Sequence, residues 1–310
     1  MNNIQNHQMV KEAVKSKFRG NTALRGKTTP MYPDSAEREF RRITNAYMRL
    51  LSQTLKAHLP DMMAAYKRER HGDSRFDDMQ DLDGEIRQEL LKVTQELEKK
   101  LASYGLHDAI EKIGRLTKAT SLREWKRAVK ETLGIDLLDD YYKGDFYEQA
   151  LRLWVDENVQ KIKTIPNESL DSMRQIILDG YKKGRTIRDI SADIQKEYSV
   201  SKHKAQMFAR DQVATLNAQI TKLQQQDAGC NHYRWSTSHD ARVRDCHRSL
   251  DGKTFSWDEP PEMWYETKKS GKVYTGRRCH PGEDYCCRCV AIPVFDLDTI
   301  NVPLKGQEDK

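Results

Sequence analysis

The stretch CHPGEDYCCRC, residues 279–289, contains four of the six cysteines in this chain of 310 residues. The other two, Cys230 and Cys246, lie upstream in the same part of the chain, and the first 229 residues contain none. Thiols stay free in a reducing compartment, so this clustering favours metal ligation over disulfide bonds. We therefore expect the stretch to organise the fold of the C-terminal region.

A second cluster, Cys246-His247, precedes that stretch. Thiolates and imidazoles from two short segments can hold zinc tetrahedrally, and the bound metal then stabilises a unit whose apolar core is small. The spacing differs from that of a regular zinc ribbon, because one residue separates Cys287 from Cys289. A structural zinc ion, free buried thiols and a disulfide therefore remain alternatives. The candidate metal ligands are His247, Cys287, Cys289, His280, Cys246 and Cys279.

The composition is very polar, with 37% hydrophobic residues, 32% charged residues and a mean hydropathy of −0.86. Long helices with one apolar stripe give such values, whereas a compact enzyme does not. No apolar run approaches the roughly 18 residues that a membrane span needs. The amino terminus also lacks the apolar stretch of a secretory signal. We expect the chain to remain in the cytoplasm where it is made.

Apolar residues recur at helical spacing through most of the chain before Gly229. Asp34 or Ser35 can cap the first helix, Pro166 and Gly184 predict helix ends, and a turn is expected near residues 199–201. The expected helices cover about residues 34–65, 82–101, 121–133, 146–165, 170–183, 186–198 and 201–226.

Beyond Gly229 the sequence becomes rich in β-favouring residues, separated by turn signals such as Asp251-Gly252 and Ser270-Gly271. The predicted fold class is α+β, an elongated and mostly α-helical body followed by a small β-rich C-terminal module that zinc would stabilise. The expected regions are a basic flexible arm (1–30), an N-terminal helical region (31–145), a second helical region (146–229), the Cys/His-bearing β-rich module (230–296) and a flexible tail (297–310).

Basic residues concentrate in two segments, although the net charge is only +6. The arm has Glu12 as its only acidic residue, and the second segment interleaves lysines and arginines with Tyr265 and Tyr274. Basic charge beside aromatic rings is typical of phosphate-binding surfaces, while a solvated surface is the alternative. The candidate nucleic-acid-binding residues are Lys11, Lys15, Lys17, Arg19, Arg25, Lys27, Lys268, Lys269, Lys272, Arg277 and Arg278.

The strings around the two cysteine clusters resemble the phage Mu F-like minor head proteins, also called phage head morphogenesis proteins. In that family a histidine or cysteine precedes "LDG", and "HP" or "PPGED" precedes "CRC". Upstream, residues 154–162, 184–190 and 209–217 resemble family helices and turns in the same order, so the resemblance covers about residues 151–295. The strongest matches are His247, Leu250-Asp251-Gly252, Pro281-Gly282-Glu283-Asp284 and Cys287-Arg288-Cys289.

The resemblance implies a minor capsid (head morphogenesis) protein of a tailed bacteriophage or prophage. Such a virion component enters the procapsid in few copies, contacts portal protein, other procapsid proteins or double-stranded DNA, and assists head assembly, packaging or ejection. The implied location is the capsid interior, after assembly in the host cytoplasm, with no membrane and no small-molecule substrate. The chain departs from some relatives at Arg244, where they carry cysteine, and Cys279 and Cys286 are extra, which leaves the ligand set open.

No phosphate-binding loop, nucleophile elbow or H-E-x-x-H string occurs in the sequence, so we expect no enzyme. The alternative is a metal-dependent nuclease or other hydrolase built on the C-terminal Cys/His module, with His239, Asp240, Asp245 and His247 around the metal. That site would need an open coordination position, whereas four protein ligands would make it structural. A third hypothesis, a DNA-binding regulator, requires a helix-turn-helix within residues 186–226.

Overall fold

The computed structural model describes residues 11–12, 14–71, 77–102, 104–137 and 145–301. A short strand, β1 (Ala23–Arg25), precedes the long helices α1 (Asp34–His71), α2 (Asp77–Ala102), α3 (Leu106–Leu133), α4 (Asp145–Lys182) and α5 (Ile187–Asp227). The C-terminal part contains β2 (His232–Ser236), α6 (Asp245–Leu250), β3 (Thr254–Ser256), β4 (Glu262–Thr267), β5 (Gly271–Arg278) and β6 (Val290–Asp296). The prediction of a mostly helical chain with a small strand-rich C-terminal region is confirmed.

Helix α4 continues through Pro166, where the sequence predicts an end. Ile162 before the proline and Leu170 and Met173 after it are all buried at helical spacing. Burial of this continuous face offsets the local cost of a proline inside a helix, about 3 kcal/mol. The two helices expected on either side of Pro166 are therefore one.

Helix α5 likewise runs through Ser199-Val200-Ser201, where the sequence analysis expects a turn. The Ser199 hydroxyl donates to the Gln195 carbonyl oxygen (3.1 Å), and the Ser201 hydroxyl donates to Glu197 Oε1 (3.2 Å). Both serines thus bond back to the preceding helical turn instead of capping a new helix. Residues 187–227 form one helix, so they do not supply the helix-turn-helix that the regulator hypothesis requires.

The strands form a four-stranded antiparallel sheet in the order β1-β6-β2-β3 and a separate two-stranded hairpin, β4–β5. The central strand β6 carries the apolar run Val290–Phe295, and β2 pairs along its length from His232 opposite Val294 to Ser236 opposite Val290. Between β5 and β6 lies the cysteine-rich stretch 279–289. The hairpin therefore fixes one end of the segment that carries the candidate ligands, and the four-stranded sheet fixes the other.

Part of the predicted flexible arm is an edge strand, since Ala23 pairs with Asp296 and Arg25 with Val294. The pairing covers backbone groups of β6 that would otherwise be exposed at a sheet edge. Gly26 permits this contact, because a Cβ atom there would lie 2.9 Å from Ile292 Cγ2. In the predicted tail, residues 297 and 300 are buried; residues 1–10 of the arm and 302–310 of the tail lie outside the described residues.

The chain divides into two compact units, neither of which follows the predicted sequential regions. The first unit comprises the residues up to Glu37, Ile113–Trp154 and those from Asp211 onward; the second comprises Arg38–Lys112 and Val155–Arg210. Segments distant in sequence thus share a core, which a sequential reading cannot detect. No helix among the described residues is long and apolar enough to cross a membrane.

A hydrophobic cluster of the second unit is built from α1, α2, α4 and α5, with Tyr66, Leu82 and Ile86 fully buried. The first unit has a cluster around Trp125 and Phe295, whose rings stack at 5.8 Å. A further cluster of the first unit joins aromatic side chains to sulfur. Its buried members are Tyr233, Trp235, Cys246, Leu250, Trp257, Met263, Cys279, Cys287, Cys289 and Ala291.

Candidate metal centre

Two short segments of the first unit carry the candidate ligands. Helix α6 follows β2 and buries Cys246, His247 and Leu250 on one face. The second segment is the loop 279–289, which is folded by consecutive backbone turns: the Glu283 amide donates to the His280 carbonyl (3.1 Å) and the Cys287 amide to the Asp284 carbonyl (3.0 Å). These turns direct Cys287 and Cys289 towards α6.

The loop is also held closely against α5. Gly282 has a φ of +90°, and a Cβ atom there would lie 3.0 Å from Ala218 Cβ and 3.2 Å from the Ala214 carbonyl oxygen. Only glycine adopts this backbone conformation freely, and here the close approach also excludes a side chain. The Cys286 amide donates to Asp211 Oδ1 at 2.9 Å, a second fixed point on α5. The position of the thiols therefore depends on backbone geometry as well as on side-chain packing.

The structure brings His247, Cys287 and Cys289 together. His247 Nδ1 lies 3.6 Å from the Sγ atoms of both cysteines, and the ligand atoms of the three residues lie within 4.8 Å of one another. The exposed fractions of the three residues are only 3%, 3% and 5%. Two sulfurs and one imidazole nitrogen are donors that zinc prefers, and we call this group the thiol–imidazole cluster.

The two thiols of the cluster titrate differently. The Cys287 thiol has a pKa well below its usual range, because it accepts a hydrogen bond from Cys289 and lies beside His247. The contact with Cys287, together with burial, raises the pKa of Cys289. Coupled acids lose their protons stepwise, so the metal-free pair favours one thiolate that accepts a hydrogen bond from the other thiol. A metal cation would replace that proton, as metal ligation by thiols requires.

The three residues considered for a fourth ligand lie outside this group. His280 is buried, with Nδ1 3.1 Å from the Tyr233 hydroxyl and Nε2 3.3 Å from Lys222 Nζ. Cys246 Sγ accepts a hydrogen bond from the Trp264 amide (3.4 Å). Cys279 is buried, and burial raises the pKa of its thiol. Within the described residues, the cluster therefore comprises three donors.

Sequence reasoning missed Asp284 as part of the site. This carboxylate is buried, and its Oδ2 lies 3.0 Å from His247 Nε2, on the side of the ring opposite the thiols. Arg244 Nη1 donates to the same oxygen (2.7 Å), and Arg277 donates to Oδ1. The sequence signal was present only as part of the string at residues 281–284, because no spacing rule marks a carboxylate that contacts a ligand from behind.

The residues of the hydrolase hypothesis do not converge on one point. Asp240 pairs with Arg242 (3.0 Å) and with Arg288, and the backbone hydrogen bond of Arg242 together with these guanidinium groups lowers its pKa to about 2. Asp245 is exposed and pairs with Arg248 (2.7 Å). His239 is also exposed, beside Thr237 (3.4 Å). Of the four residues proposed, His247 alone belongs to the thiol–imidazole cluster.

The basic residues of the arm are partly engaged with the first unit itself. Lys15 pairs with Asp298 (2.6 Å), and Lys17 donates to the Leu133 carbonyl oxygen (3.3 Å). Arg25 lies in β1, with an exposed side chain. In the described part of the arm, these three basic residues are therefore tied to the first unit, whereas the sequence analysis expects a flexible arm.

The second basic segment forms the β4–β5 hairpin. Lys268 and Lys269 lie in its exposed turn, and Lys272 Nζ lies 4.3 Å from the centre of the Trp264 ring. Tyr265 and Tyr274 are 55% and 61% exposed. The two arginines at the base of the hairpin differ from these lysines, because Arg277 contacts Asp284 and Arg278 donates to the Pro260 carbonyl oxygen (3.3 Å).

The second unit contains two groups of donors that sequence reasoning did not single out. Among the described residues, one is His58, Asp61 and Glu89, and the other is His107, Asp108 and Glu111, of which the first two are exposed. His58 lies between two carboxylates of α2, with Nδ1 3.2 Å from Glu89 and Nε2 3.1 Å from Glu96. The spacing of three residues between His58 and Asp61 is the signal that would have placed both on one helix face.

Comparison with known proteins relates the chain to phage head proteins. Residues 171–292 match the family model described as Phage Mu protein F like protein. An uncharacterized protein of Haemophilus influenzae is 27% identical over 267 residues, 85% of this chain and 56% of that protein. The minor head protein GP7 of Bacillus phage SPP1 is 26% identical over 151 residues, 45% of this chain and 48% of that protein.

The chain thus spans about half the length of the curated relatives that it matches. No solved structure matches it significantly. The matched region contains α5, the sheet strands β2 and β3, the β4–β5 hairpin and all three residues of the thiol–imidazole cluster. The family resemblance seen in the strings around His247 and Cys287 is confirmed, and residues 171–292 form a Mu F-like region.

Proposed function

We propose that the chain acts as a minor head protein of a tailed bacteriophage or prophage. The observation that carries this proposal is the family match over residues 171–292, supported by the similarity to the minor head protein of phage SPP1. The protein would enter the procapsid in few copies, contact portal protein or DNA, and assist head assembly, packaging or ejection. It would assemble in the host cytoplasm and remain inside the capsid of the mature virion.

Procapsids test this role directly. Particles purified from cells carrying the encoding phage or prophage should contain the protein in few copies per portal, by quantitative mass spectrometry. Cross-linking within these particles should join it to the portal protein. Deletion of its gene should reduce the yield of filled heads. Purified procapsids that lack the protein, with normal yields of filled heads from the deletion strain, would contradict the proposal.

We also propose that the thiol–imidazole cluster holds a structural zinc ion. The donor set fits: Cys287 and Cys289 offer two sulfurs, and the Nδ1 atom of His247 lies 3.6 Å from both. Bound zinc would link α6 to the loop 279–289 and so stabilise a region whose core contains only a few large apolar side chains. Zinc content of the protein purified under reducing conditions, measured by mass spectrometry, should approach one equivalent, and Cys287→Ser should remove it.

The alternatives for these thiols make different predictions. If Cys287 and Cys289 are free thiols or form a disulfide in the virion, the protein purified from particles contains no zinc. Mass measurement after alkylation in denaturant, with and without reduction, then separates the two, because in the unfolded chain only a disulfide protects the cysteines from alkylation. Zinc at one equivalent with both cysteines reactive after chelation would support the metal site.

A nuclease or other hydrolase remains the second candidate function, because three protein donors leave one coordination position of a tetrahedral ion open. Burial argues against it: His247, Cys287 and Cys289 are each at most 5% exposed, which leaves a substrate little access. The test is DNA cleavage by the purified protein with added zinc or magnesium. Cleavage that His247→Ala abolishes while the fold is retained would replace the structural role with a catalytic one.

The β4–β5 hairpin is the part of the chain that we propose contacts double-stranded DNA without sequence specificity. Lys268, Lys269 and Lys272 project from a narrow two-stranded unit beside the exposed Tyr265 and Tyr274. Each phosphate neutralised changes the slope of log K against log salt by about 0.9. The variant in which all three hairpin lysines are replaced by glutamine should therefore reduce the magnitude of this slope by about two to three, which is roughly one unit per lysine.

Arginine 277 and the arm provide matched controls for that experiment. Arg277→Gln removes a charge that already contacts Asp284, and Lys15→Gln removes one that pairs with Asp298, so both should change DNA affinity less than any single hairpin lysine. Affinity that is insensitive to salt, or unchanged in the triple variant, would contradict a DNA-binding role for the hairpin.

A further inference from the structure

We propose that Asp284 is a positioning residue for His247. By accepting a hydrogen bond from Nε2–H of the imidazole, it fixes the tautomer and the ring orientation that direct the Nδ1 lone pair towards Cys287 and Cys289. The inference rests on the proposed metal-binding role of the cluster, but the contact between Asp284 and the imidazole does not itself require the metal. Sequence spacing gives no sign of this role, and it follows from the contacts of one buried carboxylate.

Asp284 contacts both segments that carry the ligands. Its side-chain Oδ2 lies 3.0 Å from His247 Nε2 on α6. Its backbone carbonyl oxygen accepts the amide hydrogen of Cys287 at 3.0 Å. His247 and Asp284 are each less than 10% exposed, so water does not compete effectively for these bonds. One residue thus sets the position of the imidazole and of the first cysteine relative to each other.

Two arginines make the carboxylate an acceptor. Arg244 Nη1 lies 2.7 Å from Oδ2, and Arg277 contacts Oδ1. Guanidinium groups have only donors to offer, so both oxygens of Asp284 serve as hydrogen-bond acceptors. The nitrogen facing it, His247 Nε2, must therefore carry the hydrogen, which leaves Nδ1 as the lone-pair donor in the neutral ring. That nitrogen is the one 3.6 Å from both sulfurs.

The arginines are themselves held in place. Arg244 Nη2 donates to the Tyr285 carbonyl oxygen (2.5 Å), and the Arg277 guanidinium lies 4.5 Å from the centre of the Tyr285 ring. Asp284 is therefore enclosed by the start of α6, the end of β5 and its own loop. A carboxylate that contacts the far nitrogen of a ligating histidine commonly fixes ring orientation and raises metal affinity.

A purely structural role for Asp284 is the competing explanation. In that case it would join α6, β5 and the loop through its ion pairs with Arg244 and Arg277, and His247 would merely be adjacent. The two roles differ in what they predict for the imidazole. A positioning role requires that His247 has a single tautomer and that this tautomer depends on the carboxylate. A purely structural role of the ion pairs predicts no such dependence.

The decisive measurement uses the full chain labelled with ¹⁵N-histidine, reduced and treated with chelator. Long-range ¹H–¹⁵N correlation spectra should assign wild-type His247 to the tautomer with hydrogen on Nε2. Asp284→Asn brings an amide that cannot accept from Arg244, Arg277 and His247 at once, so the Nδ1–H tautomer should become populated. Asp245→Asn is the matched control on α6, because that exposed carboxylate pairs with Arg248 and should leave the tautomer unchanged.

Metal affinity provides the second readout. In competition with a chromophoric chelator, Asp284→Asn should bind zinc about 10- to 100-fold more weakly than wild type, and Asp245→Asn within twofold. Cobalt substitution should show a weaker or shifted thiolate-to-metal absorption band in Asp284→Asn only. Arg277→Gln keeps the carboxylate while removing one ion pair, and it should therefore retain the wild-type tautomer and lose less affinity than Asp284→Asn.

The outcomes separate the two proposals. A wild-type His247 with hydrogen on Nδ1, an unchanged tautomer in Asp284→Asn, or an equal effect of Arg277→Gln would overturn the positioning role. If wild-type protein binds no zinc while the tautomer depends on Asp284, the metal proposal fails and the positioning role stands. If Asp284→Asn does not fold, the wild-type tautomer still decides, because hydrogen on Nδ1 overturns the positioning role.

Discussion

His247 in the first unit is 3% exposed and faces two thiols, whereas His58 in the second unit is partly exposed and lies between Glu89 and Glu96. Around His58 the charges balance locally, since Lys92 pairs with Glu89 (2.5 Å) and Lys100 with Glu96. The two thiols near His247 instead interact with each other and with the imidazole. The comparison favours the proposed metal ion at the first site, where the donors are sulfur and nitrogen, and a protonated histidine at the second, where the donors are carboxylates.

Metal removal should produce the largest difference between the two sites. Since metal binding contributes directly to folding free energy, chelation should destabilise the C-terminal region by about 5 kcal/mol or more. Hydrogen exchange should then show loss of protection in α6 and in residues 279–289, while α1 and α2 keep theirs. A Cys287→Ser protein should show the exchange pattern of chelated wild type before any chelator is added. An equal loss of hydrogen-exchange protection in both units, or no loss in either, would contradict the proposed difference between the two sites.

Glycine 282 tests how far the thiol–imidazole cluster depends on backbone geometry. Alanine at position 282 has to adopt a φ of +90° and would bring its Cβ within 3.0 Å of Ala218 Cβ, whereas alanine at 252 has the positive φ of +74° with open space around it. Gly252→Ala should therefore cost about 1–2 kcal/mol from strain. Gly282→Ala should cost about 1–3 kcal/mol more. Urea unfolding measures both; equal costs would mean that the loop does not need its close contact with α5.

The same pair of sites shows what sequence reasoning can reach. The three residues of the cluster are named in advance, because cysteine and histidine are rare and their clustering stands out in the sequence. Asp284 was missed because aspartate is common and its role depends on which side of the imidazole it contacts. His58, Glu89 and Glu96 were missed for a related reason: the contact joins two helices whose relative rotation the apolar stripes alone do not fix.

Composition and hydrophobic periodicity predict the fold class, but they predict the ends of the individual helices less well. The helical stripes and the β-favouring segment after Gly229 follow from local periodicity, so the mostly helical body and strand-rich C-terminal region were anticipated. The predicted breaks at Pro166 and Ser199 failed because tertiary burial and side-chain hydrogen bonds outweighed local signals. The pairing of β1 with β6 joins residues that are far apart in sequence, and no local sequence pattern predicts it.

The smallest expected effect is the pH dependence of the His58 contact. Hydrogen bonds and charge from Glu96 and Glu89 raise the pKa of His58 above 6.5, although partial burial opposes this. The pKa values of Glu89 and Glu96 are lowered below 4.5, chiefly by hydrogen bonds from Lys92 and Lys100 and further by His58. Asp61 on α1 is the other charged group of this cluster.

A raised histidine pKa contributes stability that is complete below pH 6.5 and is lost as the pH rises through the raised value. Lowered glutamate pKa values contribute stability that is present above pH 4.5 and is lost as the pH falls through the lowered values. The contact between His58 and the two glutamates therefore stabilises the second unit most between pH 4.5 and 6.5. Wild type should exceed His58→Gln in thermal midpoint by the largest margin in this window.

That margin should shrink as the pH rises to 9, because neutral His58 and glutamine then make similar hydrogen bonds to the carboxylates. His203→Gln is the control, since it makes the same substitution at an exposed histidine on α5. Circular dichroism melts across the range provide the measurement. A margin for His58→Gln that stays constant from pH 5 to 9 would mean that His58 is not charged in the folded protein, and the contrast with His247 would have to rest on burial alone.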